Sequence, residues 1–369
     1  MKKSLLAVVV AALVSSSVQA ATVYDKDGQT LKVGGRVLAV MYKGGSAGKQ
    51  AGERDSTLEN SARFNLEGKS KVNDYLKAFT KAEWDMADSS ERAGDKVKAR
   101  DMLVGADFGE FGKLQVGRYK SNQAWVTKTT DVFDDFGCLG QTNDDSRNSG
   151  RIDYSFKKAG FEAQLGYVTA VDGFKIAGND VKSFRGVDFK EVDIDHAYSL
   201  AAGYTFDEVV FGPLSLRAGF EQITGQDDEK KTVFDKTNAF SLGASWGSDV
   251  GFYTGLSYEN KKYNFNDNIN DVKAQAFEFV VGYGFDFGLS LMAGYNRLNI
   301  DDYKKVDKAY KDLTLEYLPV YVNYKFNPNF NVWTEARFNL TSSDDLKLAS
   351  LDKKDTDRTW LSVGARYTF

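Results

Sequence analysis

Apolar and polar residues alternate along most of the chain in segments of about ten residues, separated by turns rich in Gly, Asn and Asp. In the first segment Val33, Gly35, Val37, Ala39 and Met41 alternate with Lys32, Gly34 and Arg36. A period of two is typical of a strand with one apolar face. The pattern predicts sixteen strands, at 32–41, 58–67, 76–85, 99–108, 113–119, 151–156, 161–169, 197–206, 214–222, 239–246, 252–259, 275–283, 289–297, 313–326, 330–340 and 358–369.

The connections between these strands alternate in length. Short turns lie at 68–70, 108–112, 157–160, 285–288 and 327–329. Long, charged connections lie at 44–55, 86–96, 171–193, 224–236, 260–273, 299–312 and 342–357. Transmembrane β-barrels have short turns on one side and long loops on the other, and an even strand number brings both termini to one side.

Aromatic residues cluster near the predicted strand ends: Trp84, Tyr204, Phe206, Trp246, Tyr283, Tyr324, Phe326, Tyr367 and Phe369. Such positions are typical of the aromatic girdles at the two interfaces of a membrane barrel. The alternative is the core of a soluble β-sandwich. The charge on the opposite face of each strand disfavours it, because that face would have to pack against a second sheet.

The N-terminus predicts export. Residues 1–20 begin with Lys2 and Lys3, continue with an apolar stretch from Leu5 to Val14, and end in the small-residue site Val18-Gln19-Ala20, as in a secretory signal peptide. Residues 21–369 are then expected to form a single barrel domain. They contain no apolar run of the about 18 residues that a membrane-spanning helix needs.

Composition narrows the function classes further. The single cysteine, Cys138, permits no disulfide within the chain. A formal net charge of −4 disfavours a nucleic-acid partner. The single histidine, His196, has no partner motif of the kind that hydrolases carry, so we expect no enzyme activity and no cofactor.

One connection differs from the others. The stretch 117–151 holds the loop 120–146, with the carboxylates Asp131, Asp134 and Asp135 near its middle. Loops of this length are uncommon in compact domains unless they are functional. We expect this loop to fold into the barrel and to narrow a water-filled pore. A calcium site is the alternative for its acidic residues, but their spacing, with Asp144 and Asp145 included, is not that of an EF-hand.

At this point the chain resembles the Gram-negative general porins over nearly its whole length after residue 20. The motifs that carry the resemblance are 23–28 with 31–36, Phe285-Asp-Phe-Gly-Leu289, Tyr324-Lys-Phe-Asn327, and the terminal alternation of Leu361, Val363, Ala365, Tyr367 and Phe369. The resemblance implies a trimeric sixteen-stranded barrel in the outer membrane, in contact with lipid and lipopolysaccharide, that passes small hydrophilic solutes and ions by diffusion.

The resemblance also implies roles for individual residues. Asp134-Asp135-Phe136-Gly137-Cys138 corresponds to the family's loop motif Pro-Glu-Phe-Gly-Gly, so Asp135 replaces the family glutamate and Asp131 matches its other loop carboxylate. The family's basic wall residues correspond to Arg36, Arg63, Arg118 and Arg147, with Arg100 and Arg151 as further candidates. Metal-binding and catalytic residues are not expected.

The alternation supports the inward orientation of most of these arginines. Arg36, Arg63, Arg147 and Arg151 fall on the polar face of their strands. Arg118 shares the parity of Leu114 and Val116, so either the strand has ended there or a bulge resets its phase.

Three alternative functions stay open on the sequence. An adhesin or receptor would use the long outer loops. A sugar-specific porin would carry a track of inward aromatic residues, of which Phe79 and Trp333 have the right parity. An anion-specific porin would depend on the basic wall.

Overall fold

The computed structural model describes residues 20–43, 57–87, 97–138, 141, 147–174, 176, 183–184, 187–188, 192–226, 234–265, 271–306, 309–349 and 359–369. The predicted signal peptide, apart from Ala20, lies outside the described residues. So do parts of the loops at 44–55, 86–96 and 120–146, including Asp144 and Asp145.

Sixteen strands in the described part of the chain form one closed antiparallel barrel. They are β2 (Gln29–Lys43), β3 (Thr57–Lys71), β4 (Lys77–Ala87), β5 (Lys98–Asp107), β6 (Lys113–Lys120), β7 (Arg147–Lys158), β8 (Phe161–Val168), β12 (Val192–Val209), β13 (Gly212–Gly225), β14 (Phe234–Gly247), β15 (Gly251–Phe265), β16 (Val272–Gly284), β17 (Leu289–Val306), β18 (Ala309–Asn327), β19 (Phe330–Asn339) and β20 (Trp360–Thr368). Each pairs with the next, and β20 pairs with β2. The predicted number of strands and the barrel are confirmed.

Four shorter strands accompany the barrel in the part of the chain that the structure describes. β1 (Ala21–Lys26) pairs with β2, and β9 (Val171–Phe174) pairs with β12. β10 (Ser183–Phe184) and β11 (Val187–Asp188) form a separate hairpin. The described residues also contain two short α-helices, α1 (Asn122–Thr127) and α2 (Ser343–Leu348). Among the helices of the described chain, none is long and apolar enough to cross a membrane.

The barrel closes at the chain end. Gly35 and Phe369 exchange two backbone hydrogen bonds of 3.0 Å each, and the pairing of β2 with β20 continues from Arg36 and Thr368 to Lys43 and Leu361. β1 follows on the same edge of β2, where Ala21 is the partner of Val33. Closure leaves no long edge with unpaired backbone groups, which a bilayer could not hydrate.

Side chains alternate between the two faces as the sequence pattern requires. On β15, Tyr253, Ser257 and Glu259 point inward and are buried, whereas Phe252 and Leu256 point outward and are exposed. Aromatic pairs occupy strand ends beside the short turns, such as Tyr204 with Phe206, Phe211 with Trp246, Tyr283 with Phe285, and Tyr324 with Phe326. The outer face is therefore apolar with an aromatic rim, as lipid contact requires.

Several strands extend beyond their predicted ends. β12 and β17 have 18 residues each, and β18 has 19. In these extensions apolar residues face inward: Ile194, Ile223, Leu298 and Ile300 are buried in one cluster with Phe174 and Ile176 of the connection after β8. Their neighbours Asp193, Asp195, Asn299 and Asp301 are polar, so apolar and polar residues still alternate there, but the apolar face is turned inward.

We expect Phe369→Ser to lower the yield of folded barrel several-fold. Its ring lies beside the Cα of Gly35, where an added Cβ would come within 2.6 Å of it, and its backbone closes the barrel. The measurement is the fraction of refolded protein that migrates as heat-modifiable species in gel electrophoresis. Phe287→Ser, at a turn where Phe287 is 57% exposed, is the matched control. Equal yields for the two variants would contradict this role of Phe369.

Candidate functional site

A row of inward-facing glycines forms a shallow trench across the inner wall. Its members are Gly203 on β12, Gly219 on β13, Gly243 on β14, Gly255 on β15 and Gly294 on β17. A Cβ added at Gly219 would lie 2.9 Å from Val126, and one added at Gly294 would lie 3.0 Å from Phe133. Because glycine has no side chain, residues 121–138 can lie close to the wall at these positions, and the row of glycines therefore determines the path of the segment.

The segment begins as helix α1 against β12 and β13. The Ser121 hydroxyl caps the helix by accepting a hydrogen bond from the Ala124 N–H at 3.2 Å. Asn122 donates to the hydroxyl of Ser199 at 3.0 Å. Arg217 donates to the carbonyl of Trp125 at 2.8 Å, and its guanidinium lies 4.7 Å from the Trp125 ring. The sequence pattern did not predict this helix, because six residues are too few to show a helical period.

The middle of the segment is fixed by hydroxyl groups. Thr129 donates to the carbonyl of Leu256 at 2.8 Å and accepts from the Tyr253 hydroxyl, through its own carbonyl, at 2.7 Å. Thr130 donates to Glu278 at 2.5 Å. The same carboxylate accepts from the Gln141 side chain at 3.0 Å, so Glu278 joins two parts of the loop to β16.

The tip of the segment docks on the carboxylate of Glu335 in β19. The backbone N–H groups of Asp134 and Asp135 donate to it at 3.0 Å each, and that of Phe136 donates at 2.5 Å. The Phe136 ring is fully buried among Tyr42, Trp360 and Arg337. A charge-assisted set of three hydrogen bonds and a buried ring fix the tip to the wall.

The two acidic side chains of the tip also bind the wall. Asp135 accepts hydrogen bonds from Trp333 at 2.7 Å, Ser362 at 2.5 Å and Tyr42 at 2.8 Å. Burial raises the pKa of the Asp135 carboxyl above its ordinary value, while these three donors act in the opposite direction.

Asp134 and Asp131 have different surroundings. Asp134 lies 2.6 Å from Arg366 and accepts from Tyr321 at 2.7 Å. Asp131 is exposed, lies 3.9 Å from Lys120, and accepts from the thiol of Cys138 at 3.4 Å. Of the three predicted loop acids, Asp131 is thus the one least engaged with the wall.

Cys138 occupies a position that favours glycine. Its φ is 60°, in the left-handed region, which costs a residue with a Cβ more than it costs glycine. The cysteine therefore holds this conformation at a cost in backbone energy beside the tip. Burial raises the pKa of the Cys138 thiol well above its ordinary value, which disfavours a reactive thiolate.

The predicted arginines lie on another part of the inner wall, where they form a network with carboxylates. Arg63 on β3 lies 2.9 Å from Asp85 and 3.7 Å from Glu83, both on β4. Arg100 on β5 lies 2.8 Å from Glu83 and 2.9 Å from Asp85. The two guanidiniums therefore share the same pair of carboxylates.

A bulge extends this network toward β7. The register of β4 and β5 shifts between Ala82 and Trp84, so that Arg100 and Asp101 stand opposite Glu83. Asp101 lies 2.8 Å from Lys81 and 2.5 Å from Arg147. Two consecutive residues of opposite charge thus face the same network, which plain alternation would forbid.

The other predicted arginines border the network. Arg36 is the cross-strand partner of Arg63. Strand β6 continues past Arg118, and its register shifts between Gly117 and Tyr119. Of the two explanations for the parity of Arg118, the structure therefore supports a bulge and not the end of the strand. Arg118 donates to the carbonyl of Ala99 at 3.3 Å. Arg151 is 1% exposed and lies 3.7 Å from Asp153.

Several site residues escaped the sequence reasoning. The wall carboxylates Glu83 and Asp85 have lumen parity on a predicted strand and could have been included on that ground. Asp101 could not have been predicted as a site residue, because the bulge that turns it inward has no clear sequence signal. The roles of Glu335 and Arg366 depend on which strands face the loop tip, which the sequence does not specify.

A closed antiparallel barrel with an apolar outside, a polar inside and a chain segment laid across its interior is the architecture of an outer-membrane channel. Residues 26–369 match the family described as Gram-negative porin, and the chain belongs to that family. It is an outer-membrane porin, a water-filled channel for passive diffusion of small hydrophilic solutes, and not an enzyme.

Individual relatives agree with this assignment. The chain is 26% identical over 374 residues to outer membrane porin PhoE of Enterobacter cloacae, with 100% of both chains covered. Its fold is similar to that of Salmonella typhi OmpF in a complex with daunomycin, with a TM-score of 0.74, 19% identity, and coverage of 95% of this chain and 100% of that one. It is also similar to the trimer form of OmpT of Vibrio cholerae, with a TM-score of 0.65, 18% identity, and coverage of 93% and 100%.

We expect Gly243→Leu to displace the segment from its trench. A side chain there meets the backbone carbonyl of Val126, which cannot move without the whole helix. The variant should show lower thermal stability and an altered single-channel conductance. Ala244→Leu, which adds similar bulk at the next position on the opposite face, should leave both unchanged. Identical behaviour of the two variants would show that the trench does not position the segment.

Proposed function

We propose that the channel is constricted between residues 120–146 on one side and the wall formed by β3 to β7 on the other. The observation that supports the proposal is that the loop segment and the arginine–carboxylate network lie on different parts of the inner wall. The segment contacts strands from β12 around to β20 and β2, through Ser199, Glu278, Glu335 and Tyr42. The arginine–carboxylate network lies on the remaining part of the wall.

The charged constriction acts as a filter for polar solutes. Arg36, Arg63, Arg100, Arg118, Arg147 and Arg151 supply positive charge at or beside the wall, and Asp131, Asp134 and Asp135 lie on the loop. Rings of fixed charge determine which ions pass. A polar solute aligns in such a field, whereas an apolar one must displace ordered water and gains nothing in return.

The alternatives have less support. The inward Trp333 and Tyr42 donate their polar atoms to Asp135, so they hold the loop and do not form a free sugar track. An adhesin or receptor role of the outer loops is compatible with a porin and is a separate property.

The assembly belongs to the same proposal. Residues 1–20 direct export, and residues 21–369 form the barrel domain, which assembles as a homotrimer in contact with outer-membrane lipid and lipopolysaccharide. The trimer form of OmpT of Vibrio cholerae, a protein of the same fold, supports the trimer. The broad exposed apolar surface supports the lipid contact.

The first test is the conductance of the purified protein in a planar bilayer. We expect ohmic steps that close in groups of three. Asp135→Asn should increase the open-channel noise, because an amide has one acceptor oxygen where three donors converge on a carboxylate. Asp207→Asn, an exposed position at the end of β12, is the control. A folded barrel without conductance would refute the channel, and Asp135→Asn noise equal to wild type would refute the docking role.

Ion preference should also depend on pH through Lys128. Burial, together with the neighbouring Arg217, lowers the pKa of Lys128 to about 8. Lys128 is therefore cationic below pH 8 and neutral above it, so the preference for cations should rise as the pH is raised through 8. Lys128→Met should remove this step, whereas Lys113→Met, at an exposed ion pair with Asp107, should keep it. A step that persists in Lys128→Met would assign it to another group.

A further inference from the structure

We infer that the carboxylates of the barrel wall, Glu83, Asp85 and Asp101, set the ion preference of this channel, while the loop acids Asp134 and Asp135 hold the loop in place. The inference rests on the proposed constriction and names the specificity-determining residues of that site. It differs from the expectation for the loop acids that the sequence suggested.

Two of the three loop acids, Asp134 and Asp135, bind the wall. Asp135 is surrounded by the three donors of Tyr42, Trp333 and Ser362. Asp134 forms an ion pair with Arg366 at 2.6 Å, with only 20% of its side chain exposed. A charge whose field is balanced by adjacent donors or by a cation contributes little at a distance, so these two groups act mainly on the position of the loop.

The wall carboxylates stand among the arginines themselves. Glu83 lies between Lys81, Arg63 and Arg100, at 3.6, 3.7 and 2.8 Å. Asp85 lies 2.9 Å from both Arg63 and Arg100. Asp101 lies between Lys81 and Arg147. The result is a sheet of alternating charge across four strands, β3, β4, β5 and β7.

The balance of charge in this network is close. Among the described residues, four cations, Lys81, Arg63, Arg100 and Arg147, contact three carboxylates. The carboxylates thus cancel most of the positive field that the arginines alone would project into the channel. At about 0.1 M salt the Debye length is about 10 Å, so an ion in a narrow aperture still senses the remaining field.

The same pairing fixes the arginines. Arg63 and Arg100 each contact both Glu83 and Asp85, and such shared contacts restrict long side chains that would otherwise sample many rotamers. The wall carboxylates therefore control both the charge and the shape of this side of the aperture. Substitution by the amide keeps the size of each side chain, removes its charge and replaces one acceptor oxygen by an NH2 donor.

The test is the permeability ratio of K⁺ to Cl⁻, from the reversal potential of the reconstituted protein in a KCl gradient at low salt. For Asp85→Asn/Asp101→Asn we expect this ratio to fall at least about threefold, the change that about half a kT of potential produces, because the potential acts in opposite directions on K⁺ and Cl⁻. Asp107→Asn is the matched control, because it removes a carboxylate paired with Lys113 from the end of the same strand as Asp101. Asp135→Asn should change the ratio less than the wall variant does.

The outcomes separate this inference from the proposed function. Conducting channels whose ratio is unchanged in Asp85→Asn/Asp101→Asn would overturn the inference and leave the porin assignment intact. A larger change of the permeability ratio in Asp135→Asn than in the wall variant would show that the loop acids determine the ion preference. Loss of conductance in the wild-type protein would refute the constriction itself. Single variants Asp85→Asn and Asp101→Asn provide the same test if the double variant does not fold.

Discussion

The structure depends on one constraint, which is that every backbone donor and acceptor in the membrane must find a partner within the protein. The barrel meets it by pairing each strand with its two neighbours and by joining β2 to β20. The two hydrogen bonds between Gly35 and Phe369 place the last residue of the chain at this closure. In the closed sheet one face contacts lipid and the other lines the lumen, because successive side chains point to opposite faces.

Closure also determines where a long loop can go. The segment 121–138 crosses the inner wall along five glycines, and its own polar groups are satisfied by Ser199, Leu256, Glu278 and Glu335. Buried polar groups are costly unless they are paired, so these contacts favour one path among the many that a flexible loop could follow, although the buried side-chain amide of Gln123 forms no hydrogen bond within the described residues. The strained backbone at Cys138 persists because contacts on both sides of it fix the chain.

Much of the fold could be predicted from the sequence, because period-two alternation, turn residues and loop lengths are local signals. The sixteen strands and the inward faces of Arg36, Arg63 and Arg147 follow from them. The outer ends of β12 and β17 could not be predicted from the rest of each strand, since apolar residues such as Ile194 and Leu298 face inward there and reverse the polarity of the two faces. The partners of Asp135 could not be predicted either, because Trp333, Ser362 and Tyr42 come from three strands that are far from residue 135 in the sequence.

The bulge on β5 shows how a small backbone irregularity changes the chemistry of the channel. Regular alternation would turn Arg100 and Asp101 to opposite faces and leave one of them in lipid, where a charge is expensive. The register shift opposite Glu83 allows both to join one network, in which Arg100 reaches Asp85 and Asp101 reaches Arg147. The wall thereby gains a carboxylate between two cations without an additional strand. Since ions respond to the sum of fixed charges near their path, the backbone phase at this point contributes to selectivity as directly as the choice of side chains.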